Sequence, residues 1–126
     1  MKKLTVLVCG GREYADLARV FDLLDRNKDR IGRLVQGGAR GADRLAETWA
    51  LDRRVECASY PAEWDRYGKR AGSMRNLEML TDAKPDLVVA FPGGVGTADM
   101  IRRAKRAGVR VLEVLEPRGM RETPAK

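Results

Sequence analysis

Two hydrophobic periods alternate along the chain and predict alternating strands and helices. Short, continuous apolar runs rich in β-branched residues predict five strands, at 4–8, 34–35, 55–58, 87–91 and 109–114. Apolar residues at helical spacing predict four helices between them, one following the cap residue Asp16, one from Asp43 onward, and two over 71–83 and 97–107. The segment 60–70 fits neither period and is predicted to be an ordered loop.

Continuous apolar strands separated by helices are typical of a parallel sheet covered on both faces. The predicted fold is therefore α/β: a single-domain, Rossmann-like open parallel sheet of about five strands with helices on both faces. Right-handed crossovers favour the strand order 3-2-1-4-5. We expect the domain to occupy residues 1–115 and residues 116–126, with two prolines and a glycine, to form a loose tail. The side chains predicted to face the core include Cys9, Trp49, Met74, Leu77 and Leu80.

Composition narrows the chemistry open to the chain. It contains no histidine, which excludes Ser-His-Asp and Cys-His catalysis as well as zinc sites built on imidazole. Two cysteines are too few for a zinc cluster, so we expect no metal and no other cofactor. No apolar run approaches the ~20 residues that cross a bilayer. We therefore expect no membrane partner and a cytoplasmic location.

The charge balance is basic, since 25 Lys and Arg residues against 18 Asp and Glu residues give a net charge of +7. Such a balance suggests an anionic partner, either a nucleic acid or a phosphorylated small molecule. Most of these cations are scattered among acidic residues, however. For most of them we favour the simpler interpretation that they solvate helix faces.

Three predicted strands end in glycine-containing turns that lead toward helices. Parallel strands bring such turns to one edge of the sheet, where the N–H groups of a helix start attract anions. We therefore expect a phosphate-bearing ligand at this edge, with Arg12 as a phosphate contact. The turns are Gly10-Gly11-Arg12, Gly37-Gly38-Ala39-Arg40-Gly41-Ala42-Asp43 and Pro92-Gly93-Gly94-Val95-Gly96-Thr97, and the predicted ligand contacts within them are Gly10, Gly11, Arg12, Gly37, Gly38, Ala39, Gly41, Pro92, Gly93, Gly94, Gly96 and Thr97.

The same motifs resemble known families. Arg75-Asn76-Leu77-Glu78-Met79 together with the turn 92–97 is similar to the paired signatures of the lonely-guy phosphoribohydrolases, Arg-Lys-x-x-Met and Pro-Gly-Gly-x-Gly-Thr-x-x-Glu. The turns 10–12 and 37–43 resemble the pattern of DNA-processing protein A. Both families belong to the SLOG superfamily of Rossmann-like nucleotide-binding proteins. With Pro61-Ala62-Glu63-Trp64 included, the chain most resembles the YspA-like branch of bacteria and phages, which lacks a well-defined activity.

The resemblance implies a nucleotide ligand, a homodimer, and ligand contacts at Arg75 and Asn76. It also shows departures from the lonely-guy pattern. The catalytic glutamate of that pattern falls at Met100, which cannot ionise, and Asn76 stands where the pattern has lysine. Two carboxylates are then the candidates for catalysis, Asp43 and Asp99, although Asp99 points about 100° away from position 100 around a helix. A dipole-stabilising role for Asp43 at a helix start remains an equal alternative.

These observations leave several functions open. The first is binding of a nucleotide or nucleotide-derived phosphate ligand, as a sensor or as a weak N-glycosidic hydrolase of the nucleoside 5′-monophosphate phosphoribohydrolase type. The alternative is a single-stranded nucleic-acid-binding protein of the DNA-processing type, although the chain has few aromatic residues for base stacking. Trp64 and Tyr67 form either a lid that stacks on a base or the packing that orders their loop.

Overall fold

Five parallel strands form the sheet at the centre of the molecule. A computed structural model describes residues 2–115 of the chain, so the tail predicted at 116–126 lies outside the described residues. The strands are β1 (Leu4–Cys9), β2 (Ile31–Gln36), β3 (Glu56–Ser59), β4 (Leu87–Ala90) and β5 (Arg110–Glu113). All neighbouring pairs are parallel, and the order is β3-β2-β1-β4-β5. This confirms the predicted fold class and strand order.

Helices cover both faces of the sheet. They are α1 (Leu17–Arg26), α2 (Ala42–Arg53), α3 (Trp64–Tyr67), α4 (Ala71–Glu78), which continues as a π-helical turn over Met79–Ala83, and α5 (Val95–Arg106). Helices α1 and α2 pack on the face to which β1 directs Val6 and Val8. Helices α4 and α5 pack on the opposite face, which receives Leu7 and Cys9. Both faces of β1 are therefore buried over residues 6–9, and the sequence is continuously apolar there for that reason.

Several predicted details hold and others change. Asp16 caps α1 by accepting a hydrogen bond from the Arg19 N–H at 3.0 Å, and Trp49 is fully buried in the core. Helix α5 begins at Val95, two residues before the predicted start. The loop predicted at 60–70 contains the single turn of α3 and a 3₁₀ turn over Gly68–Arg70.

One core prediction is wrong. Leu77 is 48% exposed, whereas the buried positions that follow it are Met79, Leu80 and Ala83. Together with the buried Asn76, these positions follow the i, i+3, i+4, i+7 spacing of a helix face. The helix face that packs on the sheet thus includes a polar residue, Asn76. Leu77, the next residue along the helix, therefore lies at the surface.

The sheet order creates a crevice between β1 and β4. These two strands are neighbours, yet the chain leaves β1 toward α1 on one face and leaves β4 toward α5 on the other face. In an open α/β sheet this is the topological switch point, where ligands bind beyond the carboxyl ends of the strands. Within residues 2–115, no helix has both the length and the apolarity to span a bilayer.

Candidate functional site

A cavity of about 720 Å³ opens at the carboxyl ends of the strands. Its wall combines the turn after β1, the start of α2, the segment from α3 to α4, and the first turns of α5. The predicted site residues that line it are Gly10, Gly11, Arg12, Ala39, Asp43, Arg75, Asn76, Gly94, Gly96, Thr97 and Asp99. The structure therefore brings residues from four separate stretches of the sequence to one concave surface.

Five predicted ligand contacts lie outside this wall: Gly37, Gly38, Gly41, Pro92 and Gly93. Gly41 has a φ of +79°, and a Cβ there would overlap the Gly11 carbonyl group. A Cβ at Gly93 would overlap the Thr97 side chain and would lie 2.6 Å from the Gly11 nitrogen. These two glycines therefore allow the three turns to pack closely against one another.

Three N–H groups of the first two glycine turns donate hydrogen bonds within the protein. Gly11 donates at 2.9 Å to a carbonyl group of the turn that follows β4. Gly38 donates to Oε1 of Gln36 at 2.6 Å, and Ala39 donates to Oδ2 of Asp43 at 3.1 Å. Each of these hydrogen bonds occupies a donor that the sequence analysis assigned to a phosphate. Loop geometry accounts for these glycines without a ligand.

The turn into α5 has a different character. The first hydrogen bond of α5 joins the Ala98 N–H to the Gly94 carbonyl at 3.0 Å, so the N–H groups of 95–97 have no acceptor within the helix. A Cβ added at Gly94 or at Gly96 would meet nothing within 4 Å, and neither glycine has a positive φ. Neither packing nor backbone strain therefore requires glycine at these positions. The helix start presents donors, partial positive charge and open space to the cavity.

Asp43 and Arg75 both lie close to Gly37, where a Cβ would overlap the Arg75 guanidinium and lie 2.9 Å from Oδ2 of Asp43. Burial raises the pKa of Asp43 to about 6, although the Ala39 N–H and the Arg75 charge oppose the increase. Burial also raises the pKa of the neighbouring Cys9 thiol to about 12, and the Asp43 charge adds to the effect. At neutral pH the thiol is therefore protonated, and the ionisable carboxylate of this corner is Asp43.

Arg75 connects α4 to two loops. Its Nη1 donates to the carbonyl group of Gly37 at 2.5 Å and to that of Tyr60 at 3.4 Å, while Nε donates to Oδ1 of Asn76 at 3.1 Å. None of these bonds uses Nη2. Burial lowers the pKa of Arg75, which the nearby Asp43 charge partly offsets. The guanidinium thus holds the loops in place and presents a positive charge to the cavity.

Asp99 occupies a network that fixes its charge. Its Oδ2 accepts from Nδ2 of Asn76 and from Nε of Arg103, both at 3.0 Å, and its Oδ1 accepts from Nη2 of Arg102 at 2.9 Å. Burial favours the neutral acid, but the hydrogen bonds from Asn76 and Arg103 outweigh it and lower the pKa of Asp99. Asn76 also donates to the Gly96 carbonyl at 3.2 Å, so its amide joins α4 to the start of α5.

Met100 lies away from the cavity. Its side chain is fully buried against Leu7, Met79 and Ala104 on the sheet side of α5. A carboxylate at this position would be buried in an apolar core at high cost.

Comparison with known proteins identifies the family of the chain. A sequence model of the YAcAr family, described as the YspA, cpYpsA-related SLOG family, matches residues 4–67. The Gene 61 protein of Mycobacterium phage D29 is 39% identical over 117 residues, which cover 85% of this chain and 93% of that protein. The chain belongs to the YAcAr family. This confirms the resemblance to the YspA-like branch, and membership of a SLOG family indicates a function related to nucleotides or nucleic acids.

A solved structure shows the same fold. The X-ray structure of DNA processing protein A from Streptococcus pneumoniae superimposes with a TM-score of 0.52 at 16% sequence identity. The match covers 87% of this YAcAr-family chain, which spans only 58% of that protein. At this level of identity the match supports the Rossmann-like architecture and carries no assignment of ligand.

Part of the cavity wall was not predicted from the sequence, namely Lys69, Ser73 and Arg102. Trp64, expected either as a lid or as loop packing, also lines the cavity, and the Arg12 guanidinium lies 5.2 Å from its ring centroid. Arg102 lies one helical turn after Asp99, so this spacing could have predicted that both residues face the cavity. Lys69 follows a one-turn helix that the sequence does not predict. Within residues 2–115 the structure brings together no cluster of carboxylates and cysteines that could hold a metal ion.

Proposed function

We propose that this YAcAr-family chain binds a nucleotide or nucleotide-derived phosphate ligand in the cavity between the ends of β1 and β4. The observation that carries the proposal is the open start of α5 at the topological switch point, on the same wall as Arg12, Lys69 and Arg75. A helix start and several cations on one concave surface suit a phosphate group. The two glycines of that start, Gly94 and Gly96, leave room for its close approach.

The remaining wall suits the sugar of such a ligand. Asp43 lies on the same cavity as the start of α5, and its carboxylate accepts hydrogen bonds of the kind that ribose hydroxyl groups donate. Arg75 beside it offsets the negative charge. The presence on one surface of cationic and helix-start groups that suit a phosphate, and of a carboxylate that suits a ribose, supports the proposal.

A charge-matched pair of variants tests the proposal. Isothermal titration of the wild type with AMP, GMP, CMP and UMP should give saturable binding to at least one of them. Lys69→Ala should weaken that binding about tenfold, as expected when a charge-assisted hydrogen bond is lost. Arg106→Ala removes the same charge from the exposed far end of α5, outside the cavity wall, and should leave affinity unchanged. Equal losses in both variants would indicate nonspecific attraction and contradict the assigned site.

A second candidate function is cleavage of an N-glycosidic bond, and Asp43 is the residue that favours it. A buried carboxylate with a raised pKa at a cavity wall is typical of acid–base or oxocarbenium-stabilising chemistry. We expect slow turnover, because Met100 replaces the glutamate of the lonely-guy pattern. Free base released from nucleoside monophosphates is measured by chromatography. Asp43→Asn should lower the rate at least ~100-fold and retain nucleotide binding.

Asp99→Asn is the matched control for that experiment. Asp99 is the other carboxylate of the wall, but its oxygens accept hydrogen bonds from Asn76, Arg102 and Arg103. Its replacement should therefore change the rate much less than Asp43→Asn does. Base release that Asp43→Asn leaves as fast as in the wild type would contradict the catalytic role of Asp43.

Single-stranded nucleic-acid binding is the alternative supported by the net charge of +7 and by the fold shared with DNA processing protein A. The cations of α5 give it little support, because Arg102 and Arg103 pair with Asp99 and Lys105 pairs with Glu113. The salt dependence of binding separates the two functions.

Assembly and location are further parts of the proposal. The homodimer rests on the family resemblance, and sedimentation equilibrium of the purified chain tests it. The cytoplasmic location rests on the sequence, whose two cysteines give no indication of an oxidising compartment. Fractionation of the producing cells tests it.

A further inference from the structure

The two tryptophans of the chain differ sharply in their surroundings. Trp49 is fully buried, and its Nε1 donates to Oδ1 of Asp25 at 2.8 Å. Trp64 is 48% exposed and lies on the cavity wall. Tryptophan carries the largest apolar surface of any side chain, and its exposure to water is costly. Trp49 has the environment of a core residue, whereas the position of Trp64 calls for another explanation.

Two contacts hold the Trp64 indole at the cavity. One corner of the ring, Cη2, lies 3.5 Å from where a Cβ at Gly72 would be, so the edge of the indole packs on α4. The Arg12 guanidinium lies over the ring at 5.2 Å from the centroid. Such a cation–π contact occupies one face of the ring. The indole is thus held at its edge by α4 and on one face by Arg12, while Trp64 as a whole remains 48% exposed beside the cavity.

We propose that Trp64 is the stacking platform for the nucleobase of the ligand. The inference rests on the proposed nucleotide site and specifies its substrate class: the ligand carries an aromatic base in addition to phosphate and sugar. Base stacking on an aromatic ring is tolerant of base identity, because every base has a π-face. Arg12 belongs to the turn after β1 and contacts the Trp64 indole. It lines the same cavity wall as Gly94.

A comparison of ligands with and without a base tests the platform. The affinities of AMP and of ribose 5-phosphate are measured for the wild type, Trp64→Phe and Trp64→Ala. The wild type should bind AMP more tightly than ribose 5-phosphate. In Trp64→Ala the ratio of these affinities should fall by about 5- to 150-fold, the range for loss of one base–aromatic stack. In Trp64→Phe most of the ratio should remain, because phenylalanine also offers a π-face.

Fluorescence gives an independent measure. The chain has two tryptophans, so Trp64→Phe leaves Trp49 as the sole indole emitter. AMP should quench the emission of the wild type and leave that of Trp64→Phe unchanged, since Trp49 is buried away from the cavity. Ribose 5-phosphate should quench neither.

The outcomes distinguish the platform from the nucleotide site itself. An affinity ratio that Trp64→Ala does not change would overturn the platform and leave the phosphate site intact. Equal binding of AMP and ribose 5-phosphate to the wild type would do the same. If neither compound binds the wild type, both the platform and the proposed function are overturned.

Discussion

Asp43 and Asp99 line the same cavity, but their surroundings drive their pKa values in opposite directions. Asp43 is 6% exposed, and burial raises its pKa to about 6. Asp99 also loses hydration, but three hydrogen-bond donors from Asn76, Arg102 and Arg103 hold it as an anion. Groups whose environments separate their pKa values in this way commonly divide acid–base and structural roles. Their contributions to stability should therefore depend on pH with opposite signs.

Asp43→Asn should stabilise the protein at neutral pH. The pKa of Asp43 rises from an ordinary value of 3.8 to about 6 on folding, so the native state binds more protons between these values and wild-type stability falls as pH rises through that window. Above pH 6 the penalty is about 3 kcal/mol by the free energy per pKa unit. Urea unfolding should therefore show equal stability of the two proteins near pH 4 and a more stable Asp43→Asn at pH 7.

Asp99→Asn provides the control of opposite sign. Because the pKa of Asp99 is lowered on folding, its contribution is present above its ordinary value of 3.8 and is lost as pH falls through the lowered value. The variant should be less stable than the wild type at pH 7 by about 1–3 kcal/mol, the cost of weakening a partly buried, charged hydrogen-bond group. The difference should shrink toward pH 3. If both variants shift stability in the same direction at pH 7, the contrast drawn between the two sites is wrong.

At the scale of residues, the sequence could not predict the hydrogen-bond partner of each polar side chain. Asp43 was identified because it follows a glycine turn, whereas Arg75 and Asp99 were identified through the resemblance to the lonely-guy signatures. The sequence did not predict that Asn76 is buried and Leu77 exposed, because an asparagine is buried only when its amide group finds hydrogen-bond partners. Here that requires Gly96 and Asp99, which lie on another helix. Hydrogen bonds between residues so far apart in the chain leave no recognisable pattern in the local sequence.

At the scale of elements, three similar glycine turns perform two different tasks. All three follow strands of one sheet, and the sequence offers no way to rank them. The structure distinguishes these glycines by the room around each Cα. Gly41 and Gly93 pack against neighbouring backbone or side-chain atoms, while Gly94 and Gly96 face open space. Strands and major helices were predictable because their burial is periodic. Helix α3 was not, since four residues are too few to show a helical period.

A comparison of two glycine variants tests this division. Gly96→Ala places a methyl group in open space inside α5 and should raise stability by up to about 1 kcal/mol, because alanine favours the helix. The same methyl group should weaken AMP binding if phosphate approaches the start of α5 closely. Gly93→Ala should instead destabilise the fold, because its Cβ would overlap the Thr97 side chain.

Thermal unfolding and AMP titration of both variants provide the measurement. An unchanged AMP affinity in a stabilised Gly96→Ala would show that phosphate does not contact this turn. A Gly93→Ala protein as stable as the wild type would contradict the packing role of that glycine.

At the scale of the whole molecule, the fold follows from the sequence more completely than the charge distribution does. Sheet order and the position of the crevice are consequences of buried parallel strands and right-handed crossovers. No comparable rule predicts how the net charge of +7 is distributed over the surface. In the structure many cations are paired on the surface, including Arg26 with Asp22, Arg40 with Glu13 and Arg53 with Asp25. Such pairs add nothing to the excess charge, whereas Arg12, Lys69 and Arg75 line the cavity.

Salt should therefore affect nucleotide binding only weakly. A single-stranded nucleic acid that makes six phosphate contacts would lose roughly 300-fold in affinity between 50 and 200 mM salt through counterion release. A mononucleotide in the cavity between β1 and β4 has no condensed counterions to release, so its affinity should change only a few-fold. At a hundredfold excess over its Kd, AMP should raise the free energy of unfolding by about 2.7 kcal/mol at either salt concentration. The measurement is the thermal shift with AMP and with a twelve-nucleotide oligothymidylate at both concentrations. A shift that only the oligonucleotide produces, and that disappears at the higher salt concentration, would favour the nucleic-acid function over the nucleotide site.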